Sequence, residues 1–241
     1  MIFSKKRHKP FYKQFLRFKK NIQNRSKILK FKKLKWIRFQ QYFKIQLKFH
    51  KRFKIKDQYQ ILILKFASKG NSFKKKFKNN LYFRKIFSLF YGKLKKQYVK
   101  FYFSKLINYS FIKQIDYRFM TLKFFESRLD VVLYRAGFTL SIRGSAQLIL
   151  HSHVLVNKIT IKIKSYILKP NDLIEITLLK KPRNLVKINL AKSNFWLVPP
   201  KHLIINFKTL QILFNYTILI QTPIFEHYLN INSITNNIRK C

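Results

Sequence analysis

Hydrophobic side chains recur every three or four positions through the first half of the chain, which is the spacing of one face of an α-helix. The positions are Phe11, Phe15, Phe18 and Ile22, then Trp36, Phe39, Phe43 and Leu47, and later Phe83, Phe87, Phe90 and Leu94. The pattern predicts basic helices within residues 1–56 and 81–105, with a connector or helix at 106–125. Residues 57–80 are predicted to be a linker, because they contain the breaker Gly70-Asn71-Ser72.

The pattern changes at residue 126, where a compact module is predicted to begin. Ser127 stands three residues before Asp130, which predicts a serine-capped start for a first helix. Gly137 is the expected end of that helix, since glycine tolerates the left-handed conformation that stops helices. Ser141 is the predicted cap of a second helix that runs through Leu150.

After the second predicted helix the hydrophobic period becomes two. Isoleucines alternate with polar residues, which predicts a half-buried strand containing Ile159, Ile161 and Ile163. Lys169-Pro170-Asn171-Asp172 is a predicted turn, and a further strand is expected from Leu173 to Leu178. Two helices packed on a small curled antiparallel sheet, beside the basic helices, make an α+β fold.

The charge of the chain is extreme and unevenly distributed. The 241 residues hold 53 Lys+Arg and 7 Asp+Glu, a formal net charge of +46. Residues 1–120 carry 36 basic and 2 acidic side chains, and residues 121–241 carry 17 and 5. A lone folded domain with this charge would repel itself. The charge predicts a nucleic acid as partner, with an anionic membrane surface as the alternative.

Residues 1–56 contain no acidic side chain, and aromatic residues interleave with the bases. One interpretation is helix faces laid on phosphates, with the aromatic rings packed inward or stacked on bases. A second interpretation is an amphipathic core helix whose charges are merely solvated. A mitochondrial presequence is a third, although such segments favour Arg and Ser over Lys and Phe.

Composition narrows the class of protein further. Hydrophobic residues make up 47% of the chain and include 26 Phe, so it can bury a core, unlike a disordered tail. The abundance of Lys, Asn, Phe and Ile beside only 4 Gly is typical of A+T-rich coding sequence, as in many organelle genomes. The single cysteine, Cys241, excludes an internal disulfide and a cysteine zinc site. Neither a secretory signal nor a membrane span is predicted.

Several residues within the module occur in an order and at a spacing that belong to a known family. They are Phe125-Glu126-Ser127-Arg128-Leu129-Asp130, Val132, Tyr134-Arg135, Gly137-Phe138, Gln147-Leu148-Ile149, His151, His153, Val156-Asn157, Ser165-Tyr166, Lys169-Pro170, Asp172 and Ile174-Glu175. This pattern resembles the S4 RNA-binding domain of the small-subunit ribosomal protein S4 family.

The flanking segments extend the resemblance to this family. Tyr91-Gly92 and Gln97-Tyr98 are similar to the tyrosine–glycine helix that precedes the domain. The opening at residues 9–16 and the ending at residues 199–210 resemble mitochondrial members. The resemblance implies a mostly helical basic rRNA-binding domain at 1–125 with an inserted S4 module at 126–178. The C-terminal segment, 179–241, is then expected to return to the helical domain.

The resemblance also implies a function. The chain is expected to be a structural constituent of the small ribosomal subunit that binds small-subunit rRNA and supports assembly. Neighbouring small-subunit ribosomal proteins are the implied partners, with mRNA nearby on the side where it enters. The implied location is the mitochondrial ribosome, with a plastid or a bacterial cytoplasm as alternatives. No cofactor, metal, catalytic residue, small-molecule substrate or membrane partner is expected.

The candidate RNA contacts lie in the two predicted helices and the hairpin region, because helix starts and hairpins can present guanidinium and ammonium groups to phosphates. They are Arg128, Arg135, Ser141, Arg143, Gln147, His151, His153, Asn157, Lys158, Lys162 and Lys164. For any one lysine or arginine, a merely solvated charge is the alternative.

Some positions depart from the family pattern. Ser141-Ile142 stands where the family has Thr-Arg, Ala146 replaces an arginine, and Ser152 and Lys158 replace glycines. Asn157 is expected to take a left-handed conformation in place of the missing glycine. Zinc-binding cysteines that some members carry near the N-terminus are absent from this sequence.

Rival functions remain open on sequence grounds. His151 and His153 would make a poor zinc site, because no thiol or carboxylate pair accompanies them. Asp130 lies in an Arg-Leu-Asp triplet, which resembles a short motif of pseudouridine synthases. An RNA-modifying enzyme would require a catalytic domain. The roughly 63 residues that follow the module are too few for a separate domain of usual size. The other rival is a polybasic membrane-surface protein.

Overall fold

The computed structural model describes residues 12–18, 30–49, 73–114, 117–192, 200 and 202–215. The first part is helical: α1 (Tyr12–Phe18), α2 (Leu34–Phe49), α3 (Phe73–Phe90), α4 (Lys96–Lys113) and α5 (Tyr117–Glu126). The predicted helix positions Phe11 and Ile22 and most of the predicted 57–80 linker lie outside the described residues. Its last eight residues, 73–80, form the start of α3 and correct that part of the linker prediction.

The predicted helix over 81–105 is interrupted. Gly92 and Lys93 have φ angles of 79° and 65°, and the left-handed region that they occupy ends α3. The amide N–H of Lys93 donates to the Ser88 carbonyl at 2.6 Å, and Ser88 Oγ donates to the Leu94 carbonyl at 2.7 Å. These two bonds close the turn and set the direction in which α4 leaves.

The helices share an aromatic core. Phe15, Phe87, Phe103 and Phe125 are fully or almost fully buried, and Phe87 lies edge-on to Phe103 and Phe125 at ring-centroid distances of 5.5 and 5.0 Å. Edge-to-face pairs contribute about 0.5–1.5 kcal/mol each beyond their burial. The phenylalanine-rich composition is therefore used for packing: the rings fill the space between α1, α3, α4 and α5.

The module begins with α6 (Leu129–Arg135) and α7 (Ile142–Leu150). Ser141 caps α7, as predicted, because its Oγ accepts from the Gly144 amide at 3.2 Å. The predicted serine cap of α6 is wrong. Arg128 occupies the N-cap position without a side-chain cap bond, and Ser127 Oγ donates backwards to the Phe124 carbonyl. The expected stop at Gly137 is confirmed by its φ of 77°.

Five strands form one antiparallel sheet in the order β2-β1-β3-β5-β4. They are β1 (Val154–Val156), β2 (Ile159–Thr160), β3 (Leu173–Ile176), β4 (Leu203–Asn206) and β5 (Gln211–Phe214). The predicted α+β class is confirmed, and β3 lies within the strand predicted after the turn at 169–172. The strand predicted through Ile163 ends at Thr160. Ile163 lies beyond this strand and is 63% exposed.

The described part of the C-terminal segment joins the module. Helix α8 (Lys180–Lys192) precedes it, and β5 then pairs with β3. Leu203, Ile212 and Phe214 are buried in one core with the apolar faces of α6, α7 and the sheet. Residues 202–215 therefore complete the module's sheet and do not return to the helical domain, whereas residues 216–241 of the same predicted segment lie outside the described residues.

Candidate nucleic-acid interface

Carboxylates are withdrawn from the surface throughout the described ranges. Four acidic residues fall within them: Glu126, Asp130 and Asp172 are buried, and Glu175 is half-buried with its Oε1 accepting from Gln211 Nε2 at 2.6 Å. The lysines are predominantly exposed. The described surface thus presents cations with no exposed carboxylate between them, which favours a polyanionic partner.

Helix α7 presents three of the predicted contacts on one exposed side. Arg143, Gln147 and His151 are exposed and follow one another at intervals of four residues, so they share a helix face. Ser141, which caps the helix, is half-buried and already accepts the Gly144 amide. Its hydroxyl therefore shapes the helix start, while the side chains of Arg143, Gln147 and His151 form one exposed face.

The two histidines lie beside each other at the end of α7. Their rings stack at a centroid distance of 6.0 Å with an interplanar angle of 14°. His151 is exposed, and His153 is half-buried with Nδ1 lacking a partner among the described residues. Within the described ranges no group of three His, Cys, Asp or Glu residues could hold a metal ion.

The β1–β2 hairpin projects Lys158 into solvent. Asn157 and Lys158 both have left-handed backbones, with φ of 50° and 68°, which confirms the conformation predicted for Asn157. The Asn157 side chain donates to Asp172 Oδ1 at 2.9 Å and accepts the Leu173 amide at 2.9 Å. Asn157 is therefore a positioning residue, because it anchors the hairpin that carries Lys158.

Lys162 and Lys164 follow the hairpin in the irregular segment between β2 and β3, and both are exposed. Together with Lys158 they form what we call the hairpin lysines. The segment packs through the half-buried Ile161 and Tyr166. Three cations thus project from a short, anchored stretch of chain, an arrangement suited to phosphates.

Arg128 does not face solvent, which corrects its prediction as an RNA contact. It is 3% exposed, and its guanidinium donates from Nε and Nη2 to the two Asp130 oxygens at 3.1 and 2.9 Å. Nη1 donates to the Tyr98 hydroxyl at 3.0 Å. Burial lowers the pKa of Arg128, but Asp130 and Tyr98 outweigh it and raise the pKa overall. Asp130 is bound on both oxygens, which argues against the catalytic interpretation.

Arg135 is also corrected, for the same physical reason. It is buried and donates to both oxygens of the fully buried Glu126, at 3.1 and 3.0 Å. Tyr91 donates to Glu126 as well, at 2.9 Å, and the Arg135 guanidinium lies 4.6 Å from the centre of the Phe90 ring. An ion pair removed from water needs such additional bonds to offset its desolvation.

These two networks join the helical part to the module. Tyr98 and Tyr91 belong to α4 and the turn before it, whereas Arg128 is the N-cap of α6 and Arg135 is its last residue. Sequence reasoning missed the roles of Glu126 and Tyr98. A signal existed for Glu126, since an acid in so basic a chain is most stable when paired. Burial raises the pKa of Tyr98, although the nearby Arg128 charge lowers it.

His202 lies close to the Glu126–Arg135 pair. It is 1% exposed, and neither ring nitrogen has a hydrogen-bond partner among the described residues. Burial lowers the pKa of His202 to about 4, with Glu126 raising and Arg135 further lowering it. The imidazole is therefore neutral near pH 7 and acts as a packing group edge-on to Phe214.

Among the helices in the described ranges, none combines the length and the apolarity needed to cross a bilayer.

The two helices and the hairpin described above lie in a segment that matches a known family. Residues 127–174 match the S4 domain. The chain therefore contains an S4 domain, and its two helices and hairpin are the elements described above.

The wider chain is similar to small ribosomal subunit proteins. It is 40% identical over 91 residues to small ribosomal subunit protein uS4c of Mesostigma viride, covering 38% of this chain and 44% of that protein. It is 40% identical over 101 residues to uS4 of Thermotoga petrophila, covering 42% and 45%. It is 37% identical over 105 residues to uS4 of Aquifex aeolicus, covering 40% and 50%. The resemblance to the ribosomal protein S4 family is confirmed over these stretches, which span half or less of each relative.

Proposed function

We propose that this chain is a structural constituent of the small ribosomal subunit that binds small-subunit rRNA and supports its assembly, without catalytic activity. The observation that supports this most directly is an S4 domain on a surface with no exposed carboxylate in the described residues. Phosphate neutralisation would provide much of the affinity, because each cation brought to a phosphate releases counterions.

The proposed contacts divide into two groups. The exposed face of α7, with Arg143, Gln147 and His151, and the hairpin lysines would read the shape of a folded RNA. Double-stranded RNA is recognised mainly through its backbone geometry, so no base-specific code is required of them. The basic first 120 residues would then add phosphate contacts that strengthen binding without selecting a sequence.

We further propose the mitochondrial ribosome as the location, with the chain encoded in the organelle. The A+T-rich composition supports this, as do the terminal segments that resemble mitochondrial members. Neighbouring small-subunit ribosomal proteins would be its protein partners, and mRNA would pass nearby.

The test is equilibrium binding of the full chain to small-subunit rRNA across a range of salt concentrations. Each neutralised phosphate contributes about 0.7–0.9 to the slope of log affinity against log salt. Replacing Lys158, Lys162 and Lys164 by alanine should therefore reduce the slope by roughly 2 to 3 units. The matched control replaces three exposed lysines of α8 by alanine, Lys180, Lys181 and Lys187, and should change the slope less.

Two outcomes would count against this proposal. If the hairpin and α8 triple variants reduced the salt slope equally, the attraction to RNA would be non-specific. Binding to anionic phosphatidylserine vesicles as tight as binding to folded rRNA, at the same salt concentration, would favour the polybasic membrane-surface alternative.

A further inference from the structure

A cavity of about 510 Å³ lies between α1, α3, the turn after α3 and the start of α4. It is remote in sequence from the S4 domain and from every predicted contact residue. Six basic side chains line it: Lys13, Arg17, Arg84, Lys85, Lys93 and Lys96. Its remaining lining includes the apolar side chains of Phe18, Leu89, Leu94 and Val99.

The electrostatics of this cavity favour an anion. None of the described residues lining it is acidic. The cavity also borders the positive end of the 18-residue helix α4, whose N-cap is Lys95 and whose first turn contains no acid. A lysine at a helix N-terminus is unfavourable, because its charge adds to that of the helix dipole. A bound phosphate would offset this repulsion and accept the free amide groups of the first turn.

The shape of the cavity favours a ligand larger than phosphate alone. Its volume falls within the range of about 300–1,000 Å³ that holds small organic ligands. Phe18, Leu89 and Val99 are buried and give it an apolar wall. The turn beside it is held by the Lys93–Ser88 and Ser88–Leu94 hydrogen bonds, which fix one side of the cavity.

We propose that this cavity binds one unstacked nucleotide of the bound RNA. Its phosphate would lie among the basic side chains near the start of α4, and its base against the apolar wall. Single-stranded positions of RNA offer such splayed bases, and apolar or aromatic surfaces bind them. The inference rests on the proposed rRNA-binding function and adds to it a discrete site in the helical part.

The test combines chemical probing of small-subunit rRNA with a variant that fills the cavity. Gln14 is half-buried and lines the cavity, so Gln14→Trp blocks it without changing charge. The control is Gln41→Trp, at an exposed position of α2 that does not line the cavity. The native chain and the control should protect one discrete nucleotide that Gln14→Trp leaves reactive. Loss of one stacked base should weaken binding about tenfold.

A second pair of variants keeps the test valid if the tryptophan disturbs folding. Lys96→Gln removes a charge from the cavity, and Lys100→Gln removes one from an exposed position of the same helix outside it. Of these two variants, only Lys96→Gln should abolish protection of that nucleotide. Identical footprints for the two variants would overturn the site.

Small probes separate a nucleotide site from a phosphate site. Uridine 5′-monophosphate should bind the native chain and compete with protection at that nucleotide, at concentrations where inorganic phosphate does not. Equal competition by inorganic phosphate would overturn the nucleotide assignment. If the native chain fails to bind rRNA, the proposed function falls, whereas rRNA binding without a nucleotide that depends on the cavity overturns only this inference.

Discussion

The guanidinium of Arg128 donates to the hydroxyl of Tyr98 at 3.0 Å, which joins the start of α6 to α4. Tyr98→Phe removes only the hydroxyl and leaves a donor of Arg128 without this acceptor. We expect it to lower the free energy of unfolding by about 1–3 kcal/mol. Urea denaturation measures the change, and Tyr109→Phe, at an exposed position of α4, serves as the control. Equal midpoints for both variants would show that the bond contributes nothing.

The Glu126–Arg135 pair should be costly to break from one side only. Arg135→Met leaves the fully buried Glu126 carboxylate without its main partner, so the expected loss is about 3–5 kcal/mol. In the double variant Arg135→Met, Glu126→Gln, neither position of this pair carries a charge. The double variant should therefore be more stable than Arg135→Met alone in the same denaturation experiment. The single variant Glu126→Gln completes the comparison. If the double variant lost as much free energy of unfolding as the two single variants added together, the two residues would act independently.

Gly92 should resist substitution, whereas Gly144 should accept it. A Cβ at Gly92 would lie 2.9 Å from Ile142 Cγ2, and its φ of 79° is left-handed. Gly92→Ala should cost about 1–2 kcal/mol from backbone conformation alone. Gly144 is in α7, and its added Cβ would meet nothing closer than 3.5 Å. Gly144→Ala should stabilise the chain by about 0.5–1 kcal/mol. Thermal melting compares the two, and a harmless Gly92→Ala would contradict the turn geometry.

His202 should make stability depend on pH below neutrality. Its pKa is about 4 in the folded chain and 6.5 as the ordinary value, so the unfolded state binds the proton first. Stability is therefore full above pH 6.5 and falls as pH decreases from 6.5 towards 4, by up to roughly 1.4 kcal/mol per unit. His202→Phe should remove this part of the pH dependence. Urea midpoints at pH 7 and pH 4.5 test this, and an equal pH dependence in both chains would contradict it.

Local features of the fold could be predicted from sequence. The Ser141 cap, the Gly137 stop and the left-handed Asn157 each depend on a few adjacent residues. Features that depend on distant partners could not. Nothing near Arg128 indicates that Tyr98 will accept its hydrogen bond, thirty residues away in sequence. The pairing of β5 with β3 is equally non-local, so no local pattern indicates that the sheet extends beyond residue 178.

The candidate site was predicted in part for the same reason. The exposure of residues such as Arg143 and Lys158 depends on helix phase and on the position of a turn. Sequence patterns indicate both. Arg128 and Arg135 were misassigned because an arginine at a helix end is equally suited to a phosphate or to a buried carboxylate. The choice depends on whether Asp130 and Glu126 are buried with them, and only the packed structure shows that.

Sedimentation of native extracts from the source cells is the most direct test of the ribosomal role. Antibody detection across a sucrose gradient should place this chain with the small ribosomal subunit and its precursors. It should move to the top of the gradient after ribonuclease treatment, and isolation of mitochondria beforehand tests the location. Absence of the chain from the small subunit and its precursors would contradict the proposed function.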